Sequence, residues 1–404
     1  MTPRRDAEPV APPGPLAGLR VLDCTHVMAG AWCSMILADL GADVIKIEPP
    51  RGEVTRGGLG AFRPYDFMNR NKRAIAVDMS RPEGAEVLKR LAREADVWVE
   101  NYRPGALERL GLGYEDLQAI NPSIIYCSIS GFGQDGPYRE RGGLDLVAQA
   151  MGGIMSFVGQ PGDEPSSTAI PITDLNAGTF GALGVLAAYA HRQKTGKGQH
   201  VETSLLEAGL AYTAWESGMY LTMGVLPTPQ GSRHRLAAPY EALRTQDGYI
   251  VVGVNHGKMW AKFCEAIGEP ALAHEPPFDN GFGRLANRDA LQKRLEGILA
   301  TDTSSHWIDR LVERGIPAGP VNTIAEALDD PQIKARGMLR QVGDRQFLRT
   351  PLSFSVTPVG IRRGPAEVGE HTREVLTAAG FTDREIERLL EEGLVAERSS
   401  REAR

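Results

Sequence analysis

Along the first half of the chain, short β-branched apolar runs alternate with segments whose apolar residues recur every three or four positions. Residues 19–24 read as a buried strand, 29–40 as a helix and 42–48 as a second strand. Residues 80–94 then read as a helix, with strands over 96–100 and 123–130. Strands and helices in this order imply parallel βαβ units. Ser80 and Glu83 have the spacing of a capping box, with Pro82 in the first turn, which puts a helix start at Arg81. Farther on, 175–194 reads as a long apolar helix, 197–203 as a short strand and 205–223 as another helix, before Pro227, Pro229 and Gly231 break the pattern. A second lobe begins near residue 225. In it, 249–254 alternates like a strand, and 259–267 and 289–300 are helical. The Gly/Pro-punctuated stretch 315–322 can return the chain to the first lobe. Residues 382–393 have helical spacing, with Thr382 and Glu385 spaced as a second capping box.

The predicted fold is therefore α/β: a Rossmann-like parallel-sheet large domain plus a smaller α/β domain. The expected division is a disordered leader over 1–15, the N-terminal part of the large domain over 16–224, the small domain over 225–325, and a return to the large domain over 326–404. The full length of 404 residues agrees, being more than one core usually organises. With 42% hydrophobic and 24% charged residues, the composition is that of an ordinary globular protein.

A formal charge of -6 gives no general attraction to nucleic acid or an anionic membrane, so a polyanionic ligand has to be held by a local basic cluster. The start of the chain is rich in Pro and charge and lacks the apolar core of a signal peptide. No window approaches the roughly 18 apolar residues of a membrane span. Cys24, Cys33, Cys127 and Cys264 are scattered, without CxxC or Cys/His spacing, so neither a metal site nor a disulfide framework is expected. A reducing cytoplasmic setting fits.

In open α/β sheets ligands bind at the carboxyl ends of strands, which points to 25–30, to Glu100-Asn101-Tyr102-Arg103 and to 131–143. No GxGxxG or GxxxxGK[ST] occurs at these turns, so dinucleotide and P-loop readings lack support. Asp174 stands at the head of the long helix that begins near residue 175. The positive end of a helix favours an anion, so the carboxylate is expected to be ionised, exposed and able to act as a nucleophile. A simple helix cap is the competing reading.

Several stretches together resemble the class III (CaiB/BaiF-type) CoA-transferase family, from Pro15 to about Leu394. They are 15–23, 38–48, Asn69-Arg70-Asn71-Lys72-Arg73, Glu100-Asn101-Tyr102-Arg103-Pro104-Gly105, 194–199 and 317–322. The resemblance implies an α/β fold in which two chains thread through one another as interlocked rings, with the large domain binding CoA. It makes Asp174 the nucleophile that takes an acyl group from a CoA thioester, with CoA or acyl-CoA as substrate and no permanently bound cofactor. It places His26, Val27, Met28 and Ala29 against the pantetheine and acyl region, Val77, Asp78 and Met79 at the adenine, and Asn101, Tyr102 and Arg109 at the CoA site. Lys72, Arg73 and Arg103 complete the basic cluster chosen for the phosphates. The implied partners are an acyl-CoA, a carboxylic acid and a second copy of the chain, with neither nucleic acid nor membrane.

Two readings within this fold compete. The 2-methylacyl-CoA racemases of the family use a Gly-His-Asp motif, whereas this chain has Gly143-Leu144-Asp145, and leucine cannot shuttle a proton. A catalytically inactive CoA-binding protein is the third possibility, opposed by the presence of Asp174. The formyl-CoA:oxalate transferases carry a glycine run where this chain has 234–239. They have a glutamine at the position of Met28 and a CoA-binding lysine at that of Gly142. A larger dicarboxylic acid is the expected substrate, with Leu144, Asp145, Arg233, His234 and Arg235 as candidate contacts. The three residues 233–235 have CoA phosphates or the partner chain as alternative ligands.

Overall fold

The structure, a computed structural model, describes residues 14–58, 60 and 62–398. The expected disordered leader lies outside the described residues over 1–13. Gly14 and Pro15 instead belong to a turn in which the Ala17 N–H donates to the Gly14 carbonyl at 3.0 Å.

The strands are β1 (Arg20–Cys24), β2 (Asp43–Glu48), β3 (Arg73–Val77), β4 (Val97–Glu100), β5 (Ile125–Ser130), β6 (His200–Ser204), β7 (Tyr240–Arg244), β8 (Tyr249–Gly253), β9 (Ala318–Pro320), β10 (Leu339–Val342), β11 (Arg345–Leu348) and β12 (Val395–Ala396). The chain divides into two compact units. One holds the residues through Met155, Ser167–Val225 and those from Gly337 on; the other holds Ser156–Ser166 and Leu226–Arg336.

The larger unit is built on a seven-stranded sheet in the order β12-β3-β2-β1-β4-β5-β6. β1 to β6 run parallel, and β12 closes the β3 edge antiparallel. Both faces are covered, which is why the central strands read as nearly continuous apolar runs. Leu22, Ile45, Ile75, Trp98 and Tyr126 face the helix Pro82–Ala92. Val21, Val44, Val99 and Cys127 face the helices Ala29–Asp39 and Ile172–Thr195. The long helix meets its neighbour through small residues. A Cβ on Gly178 would lie 2.4 Å from the Ala29 carbonyl oxygen, and one on Gly181 would lie 2.8 Å from Ile129.

Local chemistry departs from the sequence reading in three places. The expected helix 205–223 is two helices, Leu205–Ala211 and Ala214–Met223, because the Thr213 hydroxyl bonds back to the Leu210 carbonyl at 2.8 Å and Thr213 becomes the N-cap of the second. Ser80 forms no capping box: its hydroxyl donates to Asp78 at 2.6 Å, and Arg81 is the N-cap of Pro82–Ala92 without a side-chain bond. β3 is a strand the periodicity reading did not assign. The box at Thr382 and Glu385 is present.

The smaller unit has the antiparallel sheet β7-β8-β9. Leu243, Ile250, Val252, Trp260, Phe263, Leu295, Trp307 and Leu311 form its core. Among the described residues no helix is long and apolar enough to cross a membrane.

Gly178→Val should destabilise the protein by about 1–3 kcal/mol through overpacking against the neighbouring helix. Gly218→Ala, where nothing lies within 4 Å of the added carbon, should be neutral or stabilising by up to about 1 kcal/mol. Denaturant unfolding of the two variants checks the contrast.

Candidate active site

β1 and β4 are neighbours in the sheet, but the chain runs from β1 to β2 on the opposite side, so the strand order reverses between them. A crevice opens at the carboxyl ends of strands flanking such a reversal. Here it is framed by two turns that Asn101 ties together. Its side-chain oxygen accepts from the His26 N–H at 2.8 Å, and its amide nitrogen donates to the His26 carbonyl at 2.8 Å. The approach requires Gly30, where a Cβ would lie 2.5 Å from Thr25 and 3.1 Å from Asn101. Between His26 and the following helix, Val27 has φ 61, a left-handed conformation that strains a β-branched residue. Met28 is the N-cap of the helix Ala29–Asp39 and makes no side-chain capping bond, while Ala29 is buried.

A cavity of about 560 Å³ opens here, lined by His26, Asn101, Tyr102, Arg103, Arg109, Ser130, Arg141 and Leu144 among others. The His26 and Tyr102 rings meet edge to face with centroids 4.9 Å apart. Burial, and then the Lys46 charge, hold the His26 imidazole below its usual value, so it is neutral near pH 7. None of Arg103, Arg109 and Arg141 has a carboxylate partner among the described residues. Three uncompensated guanidiniums on one cavity of a net acidic chain select an anionic ligand. Below them, burial pushes the Glu100 carboxyl up to about 7; it accepts from the Tyr102 N–H at 2.7 Å.

Leu144, on the cavity wall, is followed by Asp145, the first residue of the helix Asp145–Met151. One Asp145 oxygen accepts from the Thr173 N–H at 2.9 Å and the Thr173 hydroxyl at 2.8 Å; the other accepts from Gln149 at 2.7 Å. Asp174, the residue after Thr173, stands in the first turn of its helix and is thus linked through Thr173 and Asp145 to Leu144. It is half-buried rather than exposed, and it is not held ionised by the helix end. Burial, and then the Asp145 charge, raise its carboxyl to about 7. The sequence reading weighed the helix dipole and omitted the like charge that the Thr173 contact brings close.

Other expected contacts lie elsewhere. Lys72 is fully buried and donates to Asn69 at 2.8 Å and the Ala31 carbonyl at 3.0 Å, with Asp23 2.8 Å away, so it cannot reach a phosphate. Arg73 is spent on Asp43 at 2.6 Å and Glu374 at 2.8 Å. Val77 is fully buried in β3 opposite Val395 and does not line the cavity. Asp78 accepts from Ser80, and the Met79 sulfur lies 3.8 Å from Cys24; neither lines the cavity. In the smaller unit Arg233 pairs with Glu241 at 3.2 Å and Asp289 at 2.7 Å, so its charge is already matched. His234 stacks on Tyr240, and Arg235 donates to the Thr228 carbonyl and lies over Phe157. Sequence reasoning did not single out Arg141, and it named Glu100 only as part of the stretch 100–103. Arg141 sits in the turn 131–143 and Glu100 at the carboxyl end of β4, both marked by strand order, which was the available signal.

The family model described as CoA-transferase family III matches residues 16–372. A succinate–glutarate CoA-transferase from Agrobacterium fabrum is 35% identical over 384 residues, covering 90% of this chain and 95% of that protein. An acetyl-CoA:oxalate CoA-transferase from Acetobacter aceti is 37% identical over 360 residues, covering 87% and 92%. The crystal structure of a CaiB/BaiF family protein from Brucella suis superposes with a TM-score of 0.83 at 37% identity, covering 91% of this chain and all of that one.

Asp174 should therefore lose its proton near pH 7, well above an ordinary carboxyl. Asp145→Asn removes the like charge and should move that titration to lower pH. Carbon NMR of aspartate-labelled protein reads both; an unmoved Asp174 signal in the variant would refute the coupling.

Proposed function

Because the chain belongs to CoA-transferase family III and is a CoA-transferase, we propose that Asp174 carries the transfer through covalent intermediates. The observation that carries this reading is the Asp174 carboxylate, which has no ion pair among the described residues and follows Thr173, whose N–H bonds Asp145, the neighbour of Leu144 on the wall of a cavity lined by Arg103, Arg109 and Arg141.

In the proposed reaction an Asp174 oxygen attacks the thioester carbonyl, the C–S bond breaks, and a mixed anhydride and CoA thiolate result. The thiolate attacks the Asp174 acyl carbon, which releases the donor acid as its carboxylate and leaves an aspartyl-CoA thioester. An acceptor carboxylate then attacks that thioester, expelling thiolate and giving a second mixed anhydride. Attack of the thiolate on the acceptor's acyl carbon forms the new acyl-CoA and restores Asp174. No net proton moves, and the nucleophile has to be ionised, so the rate should rise with pH through about 7.

Arg103, Arg109 and Arg141 are suited to the phosphates of CoA, while Asn101, Tyr102 and the turn from His26 to Ala29 border the remainder. Water has to be kept from the anhydrides, which calls for a cover over Asp174. A second copy of the chain is the cover we propose, in an interlocked homodimer. Its support is the exposed apolar surface of the larger unit, where Leu144, Leu146, Trp215, Leu221 and Met223 are each more than half exposed. A dicarboxylic acid is the proposed substrate class, supported by the names of relatives 35–37% identical to this chain. The racemase reading loses further ground because both Asp145 oxygens are engaged and Leu144 offers no base.

Asp174→Ala should abolish CoA exchange between succinyl-CoA and a panel of dicarboxylic acids while leaving the unfolding transition in place. Mass spectrometry of the wild type should show a CoA adduct on the peptide holding Asp174; an adduct on another carboxylate would overturn the assignment. Arg109→Ala and Arg141→Ala should each weaken CoA binding by about tenfold or more, given roughly 1.5–3 kcal/mol per charged contact, as read by calorimetry. Light scattering should give a dimeric mass that persists on dilution, and a folded monomer would refute the interlocked assembly.

A further inference from the structure

Beneath the turn between His26 and Met28 lies a group of buried charges that the proposed reaction does not use. Asp23, Lys46 and Lys72 are almost wholly buried, and Glu53 is 8% exposed. The Lys46 ammonium lies 3.2 Å from Glu53 and 3.8 Å from Asp23, and it donates to the Thr25 carbonyl. Asp23 accepts from the Thr25 N–H at 3.1 Å, from the Thr25 hydroxyl, and from Ser34 at 2.6 Å. Lys72 reaches Asp23 and the Ala31 carbonyl, so the helix Ala29–Asp39 is held at the same point.

A buried ion cluster is weak evidence for stability, because apolar residues of similar volume usually do as well. Its geometry is the informative part. Two of its members hold both polar ends of the Thr25 peptide and its hydroxyl, two residues before Val27 enters its strained conformation. Residues in sparsely populated backbone regions persist only where their surroundings over-determine them. Asn101 fixes the His26 peptide from one side, and the cluster fixes Thr25 from the other.

We propose that Lys46 is a positioning residue for the transferase, its ammonium gripping the Thr25 carbonyl so that the turn from His26 to Ala29 keeps the strained shape that borders the ligand cavity. Burial opposes the charge on Lys46, but Asp23, Glu53 and Glu48 more than offset it, so the grip is cationic at neutral pH. The inference rests on the proposed use of this cavity for CoA; the state of the turn can be measured without that ligand.

The test compares the full-length wild type, Lys46→Met, and the double variant Lys46→Met/Glu53→Gln. Lys46→Met leaves two buried carboxylates with less compensation and should be less stable. The double variant removes one of those charges, so it should regain most of the thermal stability while the Thr25 carbonyl stays ungripped. Hydrogen exchange of the peptide containing His26 should then be about tenfold or more faster than in the wild type, as expected for losing a hydrogen bond to a charged group, with β2 and β5 unchanged. KM for succinyl-CoA should rise by a similar factor with kcat less affected. Wild-type exchange rates at His26 in the double variant would overturn the proposal, as would recovery of stability and KM together. A wild type that fails to bind CoA would instead overturn the assignment of the cavity, and the exchange measurement would still decide the role of Lys46.

Discussion

Two hydrogen bonds from one side chain organise the site. Asn101 closes a ring with the His26 peptide, donating and accepting at once, and so locks the turn after β1 to the turn after β4 across the reversal of strand order. Neither turn is a regular element, and each would otherwise be free to vary. With them locked, Tyr102 is brought edge-on to His26, and Arg103 and Arg109 enter the same cavity. An aspartate at this position would keep the acceptor and lose the donor, leaving the His26 carbonyl without its bond.

The cavity's charge is local and is achieved by sorting. The chain is acidic overall, and many of its cations, including Lys46, Lys72, Arg56, Arg70 and Arg73, are matched by carboxylates within 4.0 Å. Among the described residues Arg103, Arg109 and Arg141 have no carboxylate partner, and they line one volume. Opposite signs of pKa shift follow from this arrangement. Lys72 is drawn down to about 8 by burial, with Asp23 opposing, while Asp174 is driven up by burial and by Asp145. The same low dielectric thus acts on a structural cation and on the proposed nucleophile, and their neighbours decide how far each moves.

Much of the fold was legible because it is encoded locally. The runs at 20–24, 43–48, 97–100 and 125–130 are apolar on both faces, and that pattern admits a buried parallel strand. β3 was hidden because Arg73-Ala74-Ile75-Ala76-Val77 has only two β-branched residues, separated by alanine, which is depleted in strands. The break at Thr213 depends on a hydroxyl choosing a backbone carbonyl, which hydrophobic spacing does not register. The carboxyl ends of β1 and β4 were identified, and His26, Asn101, Tyr102, Arg103 and Arg109 do share one cavity. What sequence could not supply was which cations are free. Arg73 is matched by Asp43 and Glu374, 30 and 301 positions away, and Lys72 by Asp23, so their availability is a property of the fold.

The sheet also has an order of completion set by the path of the chain. β3 is made early, at residues 73–77, yet its outer edge is covered by His371, Thr372 and then β12 at 395–396, all made after the whole of the smaller unit. Until residue 371 is made, the growing protein therefore carries an open strand edge of Ala74, Ile75, Ala76 and Val77, the kind of edge that recruits other strands. Its protection during that interval falls to neighbouring charges, Arg73 at one end and Asp78 at the other, before His371 and Thr372 arrive to bond the Ala74 and Ala76 amides. Growth on the ribosome, rather than the finished fold, is the stage at which this architecture is most open to wrong pairing.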